Sequence, residues 1–183
     1  MNAEKIEKVN LNHNIEQIIE ELMIEHGNEL TFLAYSYVKN TEEAKDIVQN
    51  VFVAAFQHLA AFRGDSSIKT WLYRITINKC KDHLKSSLFK RVILLGTSPE
   101  TNKKESPIDE NYLEQEASKV IKKAVFTLRL KYREVILMRY YQDLTIKEIS
   151  TILNLPEATV NTRLRRAKKQ LAPLLEKEVF SNE

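Results

Sequence analysis

Five cations crowd one short stretch of this chain: Arg163, Arg165, Arg166, Lys168 and Lys169, with no acid between Asn161 and Leu175. Guanidinium and ammonium groups at this density suit phosphate recognition, because they donate hydrogen bonds and keep their charge near neutral pH. Read as a helix, the stretch turns Val160, Leu164, Ala167 and Leu171 to one side. Glu157, Ala158, Asn161, Thr162 and Arg165 are then left on outward faces of its N-terminal half. An Asn amide can pair with adenine and an Arg guanidinium with guanine, so Asn161 and Arg165 are candidate base readers. Arg163, Arg166 and Lys169 are candidate phosphate contacts, which position a protein on DNA without reading sequence.

A second patch lies earlier. Arg74, Asn78 and Lys81 stand at four and three spacing, so they share a helix face. The polar loop Phe62, Arg63, Gly64, Asp65, Ser66 and Ser67 precedes them, with Lys69 and Trp71 between. Aromatic and basic groups beside such a loop can stack on and bond an unpaired base. A plain core role is the simpler account for most of the aromatics Tyr35, Tyr37, Phe52, Phe56, Phe62, Trp71 and Tyr73. Catalytic chemistry has little support: His13, His26, His58 and His83 form no pairing with the lone Cys80, which reads as a helix-packing residue. No metal site and no cofactor are expected, and three glycines argue against a glycine-rich nucleotide fold.

The elements that must carry these groups read as helices. Apolar residues recur at three and four spacings from Ile15 to Val38, with Gly27 a possible break. Thr41 before Glu42, Glu43 and Ala44 reads as a helix start, and the stripe Ala44, Ile47, Val48, Val51, Phe52 and Ala55 follows. Residues 62–67 read as a loop, with Ser67 or Thr70 capping the helix that carries Trp71, Leu72, Ile75, Ile77 and Leu84. Gly96, Pro99 and Pro107 among polar residues read as a linker. A second helical block resumes near Tyr112 and runs to about Glu178. Within it, Thr145 and Glu148 form a capping box, Asn154-Leu155-Pro156 a short turn, and Pro156 the limit of the next helix. This is the pattern of a helix-turn-helix, whose second helix presents its N-terminal half to the major groove. An ordinary helical hairpin shares the apolar stripe; the cap, the short turn and the acid-free basic helix favour DNA.

The expected fold is therefore all-α: two small helical domains joined by a flexible linker, the C-terminal one containing a helix-turn-helix. The expected division is an N-terminal lead over 1–24, a first domain over 25–92, a linker over 93–112 and a second domain over 113–180. Charge supports it. The net +3 of the whole chain conceals residues 1–84 with 9 basic and 12 acidic side chains, and residues 117–183 with 14 and 7. No apolar stretch approaches the roughly 20 residues that cross a bilayer, and the expected location is cytoplasmic. Domains this small are marginal alone, which favours stabilisation by partners.

Two ordered blocks carry a resemblance. Ala44 to Phe52, Phe62-Arg63-Gly64 and Thr70 to Ile75 with Asn78 and Asp82, then Lys131 to Val135 and the helix-turn-helix, resemble the extracytoplasmic-function bacterial sigma factors over about residues 28 to 176. The resemblance implies that Asp46, Gln49 and Asn50 lie on a helix gripping the clamp of the largest subunit of core RNA polymerase. It implies that Arg63, Gly64, Asp65, Ser66 and Ser67 capture a flipped base of the non-template single strand at the −10 element. Lys69, Trp71, Arg74 and Asn78 would lie on the adjoining −10 helix. Glu157, Ala158, Asn161, Thr162 and Arg165 would read the −35 element as duplex, and Leu137, Arg139 and Tyr140 would lie near the flap of the second subunit. An anti-sigma factor, often membrane-bound, is a further implied partner. Three positions depart from the family: Asn50 where Glu is usual, Arg129 where Pro is common, so that the preceding helix would run further, and Pro156 where Ser or Thr often caps.

Two rival classes make different demands. A regulator binding duplex DNA unaided would have no single-strand preference. A protein-only scaffold would be indifferent to neutralising Arg163, Arg165 and Arg166.

Overall fold

The structure, a computed structural model, describes residues 3–95 and 116–180; these form seven α-helices and one 3-10 turn at Leu59–Ala61, with no strand among the described residues. Helices α1 (Ala3–Val38), α2 (Thr41–His58) and α3 (Ile68–Leu95) pack on one another as the first unit. Helices α4 (Glu116–Thr127), α5 (Leu130–Tyr140), α6 (Ile146–Leu153) and α7 (Glu157–Phe180) form the second.

In the first unit α1 passes through Gly27 without a break. A helical glycine costs about 1 kcal/mol relative to alanine, and the flanking Leu22, Leu30 and Leu33 are all buried, which outweighs it. Residues 14–24, expected to lie in a lead outside the first domain, are part of α1, and Ile19 and Leu22 join the core. The cap of α2 is Asn40, one residue before the expected Thr41: its side chain accepts from Glu43 N–H at 3.0 Å, after Lys39 turns the chain with a φ of 55°. The expected stripe of α2 is buried from Ala44 through Ala55. Phe56 is a correction, being 38% exposed on the outer face. Helix α3 runs on through residues 93–95, beyond the expected start of the linker at 93. Residues 96–115, including most of the expected linker and the start of the second block at Tyr112, lie outside the described residues.

In the second unit α4 ends at Thr127 although proline is absent from position 129. Arg129 adopts an extended ψ of 144° and offers its carbonyl to the N–H groups of Tyr132 and Arg133. The buried Arg133 guanidinium donates to the carbonyls of Phe126 (2.9 Å) and Leu128 (3.3 Å), satisfying the free end of α4. The expected helix extension is therefore absent, because side-chain capping does the work that a proline would.

The two units are in contact: α3 packs on α6 and α1 on α5. Seven consecutive residues of α5, Tyr132 to Met138, are buried, which one apolar stripe does not predict. Phe32 and Tyr35 of α1 meet Phe126 at ring separations of 5.9 and 5.5 Å, and Phe32 meets Tyr141 at 5.8 Å.

Candidate nucleic-acid interface

Helices α6 and α7 form the helix-turn-helix. Thr145 Oγ1 accepts from Glu148 N–H at 3.2 Å while Glu148 Oε2 accepts from Thr145 N–H at 2.8 Å, completing the capping box. These bonds favour the carboxylate and hold the Glu148 side chain below the usual glutamate range. Asn154 ends α6 in the left-handed region at φ 54°, a conformation asparagine tolerates better than most residues. Leu155 is half-buried against the core, and α7 starts directly after Pro156, whose carbonyl accepts from Thr159 and Val160.

On α7 the stripe Val160, Leu164, Ala167 and Leu171 is buried as expected. Glu157, Ala158, Asn161 and Arg165 are exposed on the opposite side and Thr162 is half-buried beside them. Arg166 and Lys169 are exposed, as is Lys168, whose ammonium lies 5.1 Å from the Tyr140 ring. Arg163 differs from its neighbours. Its side chain is only 24% exposed, and Nη1 donates to Glu134 Oε1 at 2.7 Å. Position 134 was missed because nothing in a basic helix indicates which distant carboxylate it will meet.

In the first unit the loop between α2 and α3 presents Arg63, Gly64, Asp65 and Ser67 to solvent, with Ser66 half-buried. Arg63 and Asp65 form an exposed ion pair at 3.1 Å, and Gly64 has a φ of 73°, where a Cβ would be strained. Ser67 Oγ accepts from Thr70 N–H at 3.1 Å, settling which residue caps α3. Trp71 is half-buried, 5.1 Å from the Phe62 ring, so the two aromatics brace the base of the loop. Arg74 and Asn78 are exposed one turn apart. Lys69 is engaged: its ammonium lies 3.4 Å from Glu29 Oε2 and 5.9 Å from the Tyr73 ring.

Asp46, Gln49 and Asn50 share an exposed face of α2, where Asn50 Nδ2 donates to Asp46 O at 2.8 Å. The face continues into Val53 and Phe56, which are 51% and 38% exposed and lie outside the buried stripe of α2. His83, on α3, pairs with Glu43 of α2 at 2.9 Å. Leu137 is fully buried, whereas Tyr140 is half-exposed, so only the latter presents a surface. Cys80 is fully buried among apolar side chains, which push its thiol up to about 12. A cleft of 420 Å³ between the units is lined by Lys81, Arg129, Lys131, Glu134 and Arg163 over an apolar floor. No group of His, Cys, Asp or Glu side chains among the described residues has metal-site geometry, and no described helix is long and apolar enough to cross a membrane.

Comparison with known proteins gives this surface a lineage. Sigma-70 region 2 matches residues 22–87, spanning α2, the loop and most of α3. Sigma-70 region 4 matches residues 119–171, which contain the helix-turn-helix. The ECF RNA polymerase sigma factor SigW of Bacillus subtilis is 32% identical over 156 residues, covering 76% of this chain and 79% of that one. SigV of the same organism is 31% identical over 163 residues, covering 86% and 90%. Among solved structures, the sigma factor RpoE of Bartonella quintana, crystallised with the anti-sigma factor NepR, shares the fold with a TM-score of 0.69 at 21% identity, covering 88% of this chain and 98% of that one. With both regions present in order and relatives matched along most of their length, the chain belongs to the extracytoplasmic-function RNA polymerase sigma factors.

Proposed function

We propose that this protein is an alternative sigma factor that directs core RNA polymerase to specific promoters, reading −10 and −35 elements and promoting strand opening. Sigma factors are transcription initiation factors, and the phosphoryl chemistry then belongs to the polymerase, so this chain has no catalytic residue of its own. The observation that carries the reading is α7, with one face buried through Val160, Leu164, Ala167 and Leu171 and the other presenting Asn161, Arg165 and Arg166. The exposed side groups have the shape and charge that base edges and phosphates of duplex DNA require.

The first domain takes the −10 element. The Arg63–Ser67 loop, braced by Phe62 and Trp71, holds a flipped non-template base, with Lys69, Arg74 and Asn78 on the adjoining helix. Holding that base offsets the few kcal/mol of unstacking, for recognition instead of chemistry on the base. Asp46, Gln49 and Asn50 meet the polymerase clamp, with Val53 and Phe56 extending that contact by apolar area. Tyr140 is the exposed candidate toward the polymerase flap. An anti-sigma factor is a further partner, as the relative crystallised with NepR suggests. The working location is the cytoplasm, where core polymerase and promoter DNA are found.

The test is abortive transcription with purified core polymerase on a promoter library. Promoter-dependent initiation above core alone is expected, and its absence overturns the reading. Within it, Asn78→Ala impairs −10 opening and Arg165→Ala weakens −35 preference.

A further inference from the structure

The 420 Å³ cleft between the two units combines excess positive charge with apolar surface. The units beside it are joined by Tyr37, which donates to Glu134 Oε2 at 2.6 Å, and by the Tyr73 hydroxyl, which bonds Gln142. Lys81 of α3 lines the cleft from the first unit, and Arg129, Lys131 and Arg163 line it from the second. Four cations thus share the cleft with one carboxylate, Glu134, whose two oxygens are already taken by Tyr37 and by Arg163 at 2.7 Å. Lys81 and Arg129 have no carboxylate partner among the described residues. The Lys131 ammonium lies 5.1 Å from the Tyr132 ring, a contact that leaves its N–H donors for an acceptor.

Like charges gathered around one cleft repel, and an anion placed between them turns that repulsion into attraction. The apolar surface narrows the choice of anion. A bare phosphate would meet the cations but leave the leucines uncovered and most of the volume unfilled. An uncharged ring would cover the leucines and leave the cations without a partner. The volume lies within the range of small-molecule sites, about 300–1,000 Å³. The occupant that suits both surfaces carries several negative charges at one end and a planar, largely apolar ring at the other.

We propose that this cleft binds a nucleoside polyphosphate, with the phosphates held by Lys81, Arg129 and Lys131 and the base laid on Leu130, Leu153 and Leu155. Arg163 can assist, because a guanidinium carries five N–H donors and its bond to Glu134 does not exhaust them. The site is distinct from the outward face of α7, where Asn161, Arg165 and Arg166 are exposed. It goes beyond the sigma reading and does not depend on it.

The test is isothermal titration calorimetry of the full chain with ATP, tripolyphosphate and adenosine, at low salt and without magnesium, polymerase or DNA. ATP is expected to bind at one site per chain. Tripolyphosphate, which keeps the charge and lacks the base, should bind about tenfold more weakly, because the leucines stay uncovered. Adenosine should give no measurable binding. Lys81→Gln and Arg129→Gln should each weaken ATP about tenfold, the loss of one charge-assisted hydrogen bond. One substitution lies in each unit, so the two effects together place ATP between the units. Arg129→Lys, which keeps the charge, should recover most of the affinity. Three results overturn the site: no ATP binding, tripolyphosphate binding as tightly as ATP, or either Gln variant binding ATP like the parent chain. Abortive transcription reports separately on the sigma function. ATP binding without promoter-dependent initiation keeps the site and removes that function, and initiation without ATP binding removes only the site.

Discussion

The carboxylate of Glu134 joins Tyr37, 97 residues away in sequence, to Arg163 on the recognition helix, with contacts of 2.6 and 2.7 Å to its two oxygens. Glu134 is 5% exposed and Arg163 is the more accessible partner. The two halves of this ion pair are therefore not equivalent in what their loss leaves behind.

Arg163→Gln strands a buried carboxylate and is expected to cost about 3 kcal/mol. Glu134→Gln leaves a guanidinium that can turn toward water and should cost less, about 1 kcal/mol. Urea denaturation of both variants checks the order. Equal costs would mean that burial of Glu134 has no energetic consequence.

The capping box supports the start of α6 through Thr145 and Glu148. Thr145→Ala should destabilise the second domain by about 1 kcal/mol, visible as a lower thermal midpoint with unchanged helix content. Thr145→Ser restores most of it, because the hydroxyl is retained.

Acidification should act through Glu148, whose carboxyl is held low first by the Thr145 backbone N–H and then by its hydroxyl. A depressed carboxyl contributes stability that is fully present above the unfolded value of about 4.3 and is lost as pH falls through the lower folded value. The stability difference between the parent chain and Glu148→Gln should therefore be constant near neutrality and shrink below about pH 4. A difference independent of pH would show that the charge plays no part.

On the recognition helix, Asn161→Ala and Arg165→Ala should flatten sequence preference at −35, each costing about 1–3 kcal/mol at the base it reads. Arg166→Ala and Lys169→Ala should instead weaken binding to all sequences alike and reduce the salt slope by about one each. Arg163→Ala, with its ion pair to Glu134, should alter salt dependence less than either. Anisotropy titrations across salt concentrations separate the three patterns.

Gly64 has a φ of 73° with open space around the site where a Cβ would stand. Gly64→Ala should therefore strain the backbone by about 1–2 kcal/mol without a steric clash. Strand opening, read by fluorescence of a base analogue at −10, is expected to fall while −35 binding persists.

Helices and the helix-turn-helix were legible in the chain because each is set by short-range chemistry. The stripe from Ala44 to Ala55, the Thr145–Glu148 box and the turn at Asn154-Leu155-Pro156 need only neighbours within a few residues. Local pattern misjudged Gly27, Phe56 and the end of α4, where burial of Leu30 and Leu33, a missing cover and the Arg133 guanidinium decide.

By itself the sequence determined an all-helical chain, two blocks of opposite charge balance, the outward face of the recognition helix and the family to which those motifs belong. The tertiary structure alone decided that Glu134 takes up Arg163, that Lys69 meets Glu29, and that Tyr37 and Tyr73 tie the two units together. The reason is range: helical periodicity repeats within one turn, whereas a buried hydroxyl or carboxylate finds its partner only when distant helices meet, and no local spacing encodes that meeting.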